Sequence, residues 1–539
     1  MNNTDFTTHP SKIILTVSCQ DLIKRKRFKK FEPYAVLFIV NLEEKKLNEF
    51  GRTESIEDDL SPQFTNKFIV PYTFEKLQLF RIIIFNKNEG SQKYDSKNIV
   101  GIMNFSLGEV IGTKESTITK KLIHQTKPNK ERGFCTIKAE ETKKKISIIS
   151  FRPIGQKLDK KDFFGHSDPF LLFEKQKKGT TDEWEKVHQT EKKTNTLFPK
   201  WRIINISLSI LCDEDLDLPI KISCYDWNKT TKSELIGFFI TTTREILNKT
   251  DEKFYLIHPK KQRRKKSYHD SGKIKFKNIK KQEEITFLSY FKMGIEMNLV
   301  FAIDFTASNG HINSPNSLHY TDDFSLNQYQ ESIMKCGSIL SNYCEKKKFP
   351  VFGFGARIDN NISHCFSLTG NSEQPEVEGI QEVMNIYKKV LGWKNMRLWG
   401  PTHFAPIING VAQGIVQNTN KIKHQYFVLL FITDGEIEDF EETKKAIVYS
   451  SALPLSIVII GVGNNSFEKM KTLDSDFVEL SYRGTKAVRD IVQFVPFKES
   501  RQKGYEELAR RTLEEIPRQV ISYFERKKIY PPKNDQKEK

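Results

Sequence analysis

Two stretches of this chain repeat one another, and that admits few architectures. FEPYAVLF at 31–38 parallels SDPFLLFE at 167–174, and GRTESIEDDLSPQFTNKF at 51–68 parallels HQTEKKTNTLFPKWRII at 188–204. FNKNEG followed by NIVG likewise parallels YDWNKTT followed by ELIG. The period is about 130 residues, too long for a solenoid unit of roughly 20–50 residues, so the unit repeated is a whole domain. Within each copy the apolar residues gather in short β-rich runs: KIILTVSC, YAVLFIV, KFIVPY and LQLFRIIIF, then KISIISF, DPFLLFE, RIINISLSI and KISCYDW. Turn residues separate them, the grammar of all-β sandwiches. Two tandem sandwiches are expected, over 1–140 and 141–257.

Residues 258–283 break this texture with HPKKQRRKKSYHDSGK, where six of the seven residues from 260 to 266 are basic. The segment reads as a basic linker or a solvated hairpin edge. Beyond it strands alternate with amphipathic helices. LVFAID precedes a helix expected at about 325–346, on which Ile333, Cys336, Leu340 and Tyr343 recur at helical spacing. FPVFGFGA, a helix through Ile380, Val383, Tyr387 and Val390, YFVLLFITDG, a helix over 438–450 and LPLSIVIIGVG follow. This alternation predicts a doubly wound α/β domain over 284–503, a parallel sheet covered on both faces. A helix over 504–526, bent at Pro517, and a polar tail complete the chain to residue 539.

At 539 residues the chain exceeds one hydrophobic core. Its 38% apolar and 29% charged residues suit globular domains. The longest apolar runs fall short of the roughly 18 residues that span a bilayer, and the N-terminus lacks the pattern of a signal peptide. Seven scattered cysteines without a CxxC pair read as buried free thiols in a reducing interior. The net charge of +18 implies attraction to polyanions.

Asp304 falls just after the LVFAI strand, and Asp434 at the same end of the strand YFVLLFIT. In open parallel sheets ligands bind beyond the carboxyl ends of the strands. Thr306 and Ser308 follow Asp304 at two-residue steps, and Thr402 lies in the loop between the two strands. The triplet could equally cap a helix. As a metal site it offers hard oxygens suited to magnesium, manganese or calcium, and two carboxylates leave such an ion short of anions. One more carboxylate, from a partner, would complete its shell.

AIDFTASNG with NSLHY, FPVFGFGA, GPTHFAPIING, VLLFITDGEI, LPLSIVIIGVG and DIVQFVPF together resemble the copine family, whose third domain is of the von Willebrand factor A type. The likeness continues upstream, where both sandwiches look like C2 domains. It implies that Asp304, Thr306, Ser308, Thr402 and Asp434 form a metal-ion-dependent adhesion site. In the second sandwich it implies calcium ligands at Asp162, Asp168 and Asp226. Asn228 and Glu234 stand where the family has Asp, which removes one negative charge.

The first sandwich departs further. Lys24 and Lys26 occupy the two Asp positions of its first loop, and Asn86 and Asn88 those of the other loop. Calcium is not expected there. Lys24, Arg25, Lys26, Arg27, Lys29 and Lys30 form instead a cationic loop for anionic, phosphatidylserine-like lipid. At about 1 kcal/mol each before screening, six such charges make one useful anchor of two. Lys260, Lys261, Arg263, Arg264, Lys265 and Lys266 add a further patch, for which nuclear import is the rival reading. No aromatic platform interleaves with these clusters, so nucleic acid is not expected.

Walker, GxSxG and HExxH motifs are absent, and no general base accompanies Asp304, so no enzyme is expected. The expected protein is a cytoplasmic adaptor that moves to anionic plasma membrane when calcium rises and recruits an acidic partner through its A-type domain. A calcium-independent scaffold held by its basic patches is the alternative.

Overall fold

The computed structural model describes residues 11–24, 30–41, 44–87, 96–127, 129–142, 147–160, 166–228, 232–248, 252–283, 285–322, 324–418, 424–474 and 480–532. The first sandwich comprises β1 (Ser11–Gln20), β2 (Pro33–Asn41), β3 (Lys46–Arg52), β4 (Phe68–Tyr72), β5 (Leu79–Asn86), β6 (Ile99–Ser106), β7 (Thr117–Ile123) and β8 (Glu131–Glu141). Helix α1 (Leu107–Gly112) lies between β6 and β7. The strands run β3-β2-β5-β6-β7-β8-β1-β4, and the β6–β7 junction is the single pair Ile102 and Ile123. Two four-stranded layers therefore meet at one corner. In β1 the inward set Ile13, Leu15, Val17 and Cys19 alternates with more exposed residues, the period-two pattern of a half-buried strand.

The second sandwich comprises β9 (Ser147–Gln156), β10 (Pro169–Gln176), β11 (Trp184–Gln189), β12 (Ile204–Ser207), β13 (Pro219–Asp226), β14 (Glu234–Thr242), β15 (Phe254–Tyr255) and β16 (Lys273–Glu283). Its layers run β11-β10-β13-β14 and β12-β9-β16-β15. Position by position this is the order of the first sandwich, so the sequence repeat is a repeat of topology. It also corrects the reading of residues 258–283 as a linker. Pro259–Arg264 form a helix, α2, and Lys273–Glu283 form the eighth strand, paired with β9 and β15. Lysines alternating with buried Ile274 and Phe276 had disguised a strand with one face in the core.

The third domain is built on a parallel sheet of β17 (Glu296–Asp304), β18 (Lys348–Phe354), β22 (Gln425–Thr433), β23 (Leu455–Gly461) and β24 (Val492–Pro496). A small antiparallel sheet of β19 (Ala356–Ile358), β20 (Asn361–Ser363) and β21 (Met396–Leu398) sits beyond the carboxyl end of β18. The order β18-β17-β22-β23-β24 puts β17 beside β22 at the centre. Ile303 pairs with Ile432, which brings the residues after both strands together. Helices Gly379–Leu391, Ala405–Gln417 and Phe440–Ser450 cover the sheet. The helix expected at 325–346 runs from Gln328 to Ser341 with a π-turn at Ile333–Gly337. The expected C-terminal helix is two, Tyr505–Leu513 and Ile516–Arg526, with Pro517 in the first turn of the second, where its missing N–H costs nothing.

The chain divides into two compact units, 143–284 and the combination of 1–142 with 285–539. The first sandwich thus shares a unit and one continuous apolar core with the third domain. At the joint Tyr72 Oη meets Tyr343 Oη at 2.9 Å, Ser106 Oγ donates to Asn342 Oδ1 at 2.7 Å, and Thr286 Oγ1 donates to Glu141 Oε2 at 2.6 Å. Phe74 packs between Phe287 and Tyr343 with ring centroids 5.0 and 4.8 Å away. Helix α1 lies against this contact, and a Cβ at Gly112 would stand 2.7 Å from Tyr343 Cα. Glycine there is required by close approach.

Candidate metal centres

The third domain brings Asp304, Thr306, Ser308 and Asp434 into contact, and sets Thr402 against Gly435, the residue after Asp434. Asp304 ends β17, and its Oδ1 accepts from Thr306 N at 2.8 Å and Thr306 Oγ1 at 2.6 Å. Asp434 Oδ1 accepts from Ser308 Oγ at 2.9 Å and lies 3.5 Å from Thr306 Oγ1. Thr402 comes from the loop that precedes Ala405–Gln417 and covers Gly435, whose would-be Cβ is 2.7 Å from Thr402 Oγ1. A Glu438 carboxylate accepting from Thr402 N at 3.1 Å, and the Glu438 N–H donating back to Thr402 O at 2.9 Å, hold that loop in place.

Three supporting residues escaped sequence reasoning. Thr433 Oγ1 donates to Asp304 Oδ2 at 2.5 Å. Asn309 Nδ2 donates to Asp434 Oδ1 at 2.8 Å, and Tyr329 Oη donates to Asn309 Oδ1 at 2.7 Å. A hydroxyl directly before a strand-end Asp, and the amide in ASNG, were the available signals.

Asp304 and Asp434 are both buried. Burial, with the Asp304 charge adding to it, pushes the Asp434 carboxyl up to about 7. Burial also raises Asp304, against the hydrogen bonds from Thr306 and Thr433. A cation would relieve both carboxylates at once. The donor set of two carboxylates and three hydroxyls fits a hard divalent ion that keeps water or takes an outside carboxylate. Among the described residues no three His, Cys, Asp or Glu side chains are grouped so as to hold a metal ion.

In the second sandwich Asp168 precedes β10 and Asp226 ends β13. The Asp168 N–H donates to Asp226 Oδ1 at 2.6 Å, and Asp168 Oδ1 accepts from Asn195 N at 2.7 Å. Glu234 opens β14 directly opposite Asp226, and Asn228 lies in the turn between them. Asp162 lies outside the described residues. Lys192 Nζ sits 3.2 Å above the Trp227 ring at this same end. Phe198, on the loop that carries Asn195, is 59% exposed.

The first sandwich repeats this joint with different chemistry. The Glu32 N–H donates to Asn86 Oδ1 at 2.7 Å, as that of Asp168 does to Asp226, but Asn86 Nδ2 also donates to Lys30 O at 3.1 Å. An amide does here what a carboxylate cannot, closing the loop by its own donor. Lys30 Nζ and Lys87 Nζ stand 3.5 and 3.9 Å from the Glu32 carboxylate, so ammonium groups lie where a cation would. Lys24 pairs with Asp58 at 3.4 Å. Arg25, Lys26, Arg27, Lys29 and Asn88 lie outside the described residues.

Helix α2 lies at the end of the second sandwich that carries Asp159 and Asp168. Lys261 Nζ binds Asp159 Oδ2 at 2.6 Å, and Asp159 N donates to Ser271 O at 3.0 Å. Lys260, Arg263, Arg264, Lys265 and Lys266 are exposed.

A C2 domain profile matches residues 13–122 and 154–257, and a copine profile matches residues 317–532. The chain is 35% identical over 527 residues to Copine-A of Dictyostelium discoideum, covering 97% of this chain and 85% of that protein. Among solved structures, BON1-C2B is 22% identical over 26% of this chain and 93% of its own, with a TM-score of 0.22. The calcium-bound pair of C2 domains of Extended-Synaptotagmin 2 is 13% identical over 52% of this chain and 98% of its own, with a TM-score of 0.20. On the extent of the Copine-A match, with two C2 domains ahead of a copine domain, the chain belongs to the copine family.

Proposed function

We propose that this copine is an adaptor that binds anionic phospholipid when calcium loads the second C2 domain, and that recruits an acidic protein partner through a divalent ion in its A-type domain. Family membership and the two C2 domains support the coarser reading, a calcium- and phospholipid-binding, membrane-associated protein. The observation that carries the finer one is the contrast between two equivalent joints. Asp168 with Asp226 keeps carboxylate oxygens at the loop end of the second sandwich, whereas Glu32 with Asn86 and two lysines closes the first. One C2 domain then responds to calcium, and the other contributes fixed positive charge. Weak anchors of this kind reinforce one another when both reach the same surface.

No helix among the described residues is long and apolar enough to cross a membrane. Attachment would be peripheral, at the cytoplasmic face of the plasma membrane. Exposed cations on α2 add headgroup contacts beside the calcium loops. Within the larger unit, β1 runs from Ser11, next to the Tyr72 joint, to Gln20, next to Lys24. Lys24 and Lys30 are therefore at the end of their sandwich away from the A-type domain. Asp304 and Asp434 lie at the carboxyl ends of their strands, whereas the joint residues Thr286, Phe287 and Tyr343 lie just before β17 and β18. A bilayer held by the first sandwich leaves the A-domain centre facing soluble partners. Sedimentation of the full chain with phosphatidylserine vesicles in calcium and in chelator tests the reading. Equal sedimentation in both would contradict the calcium trigger.

A further inference from the structure

We propose that the small sheet of β19, β20 and β21 is a docking surface for an acidic peptide segment of a protein partner, with an apolar side chain beside its carboxylates. This rests on the reading of Asp304 and Asp434 as a cation site. Trp399 couples the two places. It pairs with Thr306 in a parallel bridge, its N–H donates to Gly355 O at 3.0 Å, and its carbonyl accepts from Ala307 N. Neighbouring strands lie about 4.8 Å apart, so a segment a few residues long reaches both the metal loop and the sheet.

The sheet presents one face of unusual composition. Arg357 is in register with Ile362 on one side and with Arg397 on the other, which puts these three side chains on the same face. Trp399 follows Arg397 by two residues and continues that face. Ile362 is 48% exposed and Trp399 43% exposed. The Arg357 guanidinium lies 5.1 Å from the Trp399 ring centroid, and its Nε donates to Asn360 O at 3.3 Å. Among the described residues no carboxylate lies within ion-pair distance of Arg357 or Arg397. Two guanidinium forks without acidic partners, an exposed indole and a nearby cation centre short of anions select the same ligand. One carboxylate completes the cation's shell, a second is forked by an arginine, and the apolar side chain between them covers Trp399 and Ile362.

The test uses the full chain immobilised in millimolar magnesium and a random peptide library displayed on phage. Enriched peptides are expected to carry two acidic residues within a few positions of an aromatic or aliphatic one. Synthetic copies should bind about tenfold more weakly to the Arg357→Glu/Arg397→Glu chain, and several-fold more weakly to Trp399→Ser. Manganese affinity, measured by calorimetry, should be unchanged in both variants, which shows that the centre is intact. Enriched peptides without that pattern, or with equal affinity for the variants, would overturn the proposal. If chelation abolishes peptide binding while the variants bind normally, the cation site stands alone and the docking surface falls. If the variants weaken binding and chelation does not, the surface stands and the cation reading falls. If the variants lose binding to phosphatidylserine vesicles and no acidic peptide is enriched, the face is a lipid contact and the proposal fails.

Discussion

Asn309 donates its amide to Asp434 Oδ1 at 2.8 Å while Tyr329 donates to the other end of that amide at 2.7 Å. The carboxylate that belongs to the candidate cation is therefore oriented from behind by a residue fixed in its turn. Tyr329 is fully buried, so the relay is rigid.

Removing that support should cost metal affinity without unfolding the domain. Asn309→Ala is expected to weaken manganese or magnesium binding by roughly tenfold to a hundredfold, the usual effect of losing a residue that orients a ligand. Calorimetric titration of the full chain measures it, with circular dichroism as the folding control. An unchanged affinity would mean that Ser308 alone sets the Asp434 geometry.

His319 gives the A-type domain a dependence on acidity. It is buried between Phe305 and Tyr329, with Nδ1 2.8 Å from Tyr387 Oη, and burial lowers its pKa from 6.5 to about 3. The unfolded chain therefore binds a proton that the folded one refuses between those values. Stability contributed by the neutral ring is complete above about pH 6.5 and is lost as the pH falls toward 3, about 2 kcal/mol by pH 5. Asp434, raised to about 7, works in the opposite sense over the same range, so the fall is read as the difference in thermal unfolding between the wild type and His319→Phe, which keeps the aromatic stack, from pH 7 to about pH 5.

The joint between the first sandwich and the A-type domain should tolerate no side chain at Gly112. Gly112→Leu drives a Cβ to 2.7 Å from Tyr343 Cα and is expected to cost about 1–3 kcal/mol in overpacking. Limited proteolysis of the full chain should then cut the first sandwich and the third domain faster than in the wild type. Equal resistance would show that the two domains are not held by this contact.

If the second sandwich meets lipid at its Asp168–Asp226 end, Phe198, exposed on the loop that carries Asn195, should enter the bilayer. Phe198→Trp with brominated phospholipid vesicles should show quenching in calcium that chelator reverses. Arg263→Glu with Arg264→Glu should weaken vesicle binding more at low salt than at high salt, because the contact is ionic and screened. Binding without quenching would place Phe198 outside the bilayer.

The duplicated sandwich was legible because each copy alternates buried and exposed residues and keeps its turns. Its last strand in the second copy was not. In KIKFKNIKKQE lysines fill the outward positions, and only Ile274 and Phe276 mark the buried face. The counterpart β8 was the available guide, since a repeat predicts an eighth strand after the basic run. At the A-domain centre, Asp304 and Asp434 could be found from strand ends alone. Tyr329 could not, because what joins it to Asn309 is packing between a loop and a helix whose contacting residues lie 20 positions apart. The shared core of the first sandwich and the third domain left no periodic trace, since Tyr72, Gly112 and Tyr343 read as ordinary core or helix residues.

The central claim is that calcium acts through the carboxylates of the second C2 domain. A calcium titration of phosphatidylserine vesicle binding by the full chain tests it, alongside Asp168→Asn and Asp226→Asn, with thermal unfolding to confirm that each variant folds. Wild-type binding should rise with calcium, and both variants should need at least about tenfold more calcium while keeping the wild type's binding in chelator. Variants that titrate like the wild type, or a wild type indifferent to calcium, would contradict it.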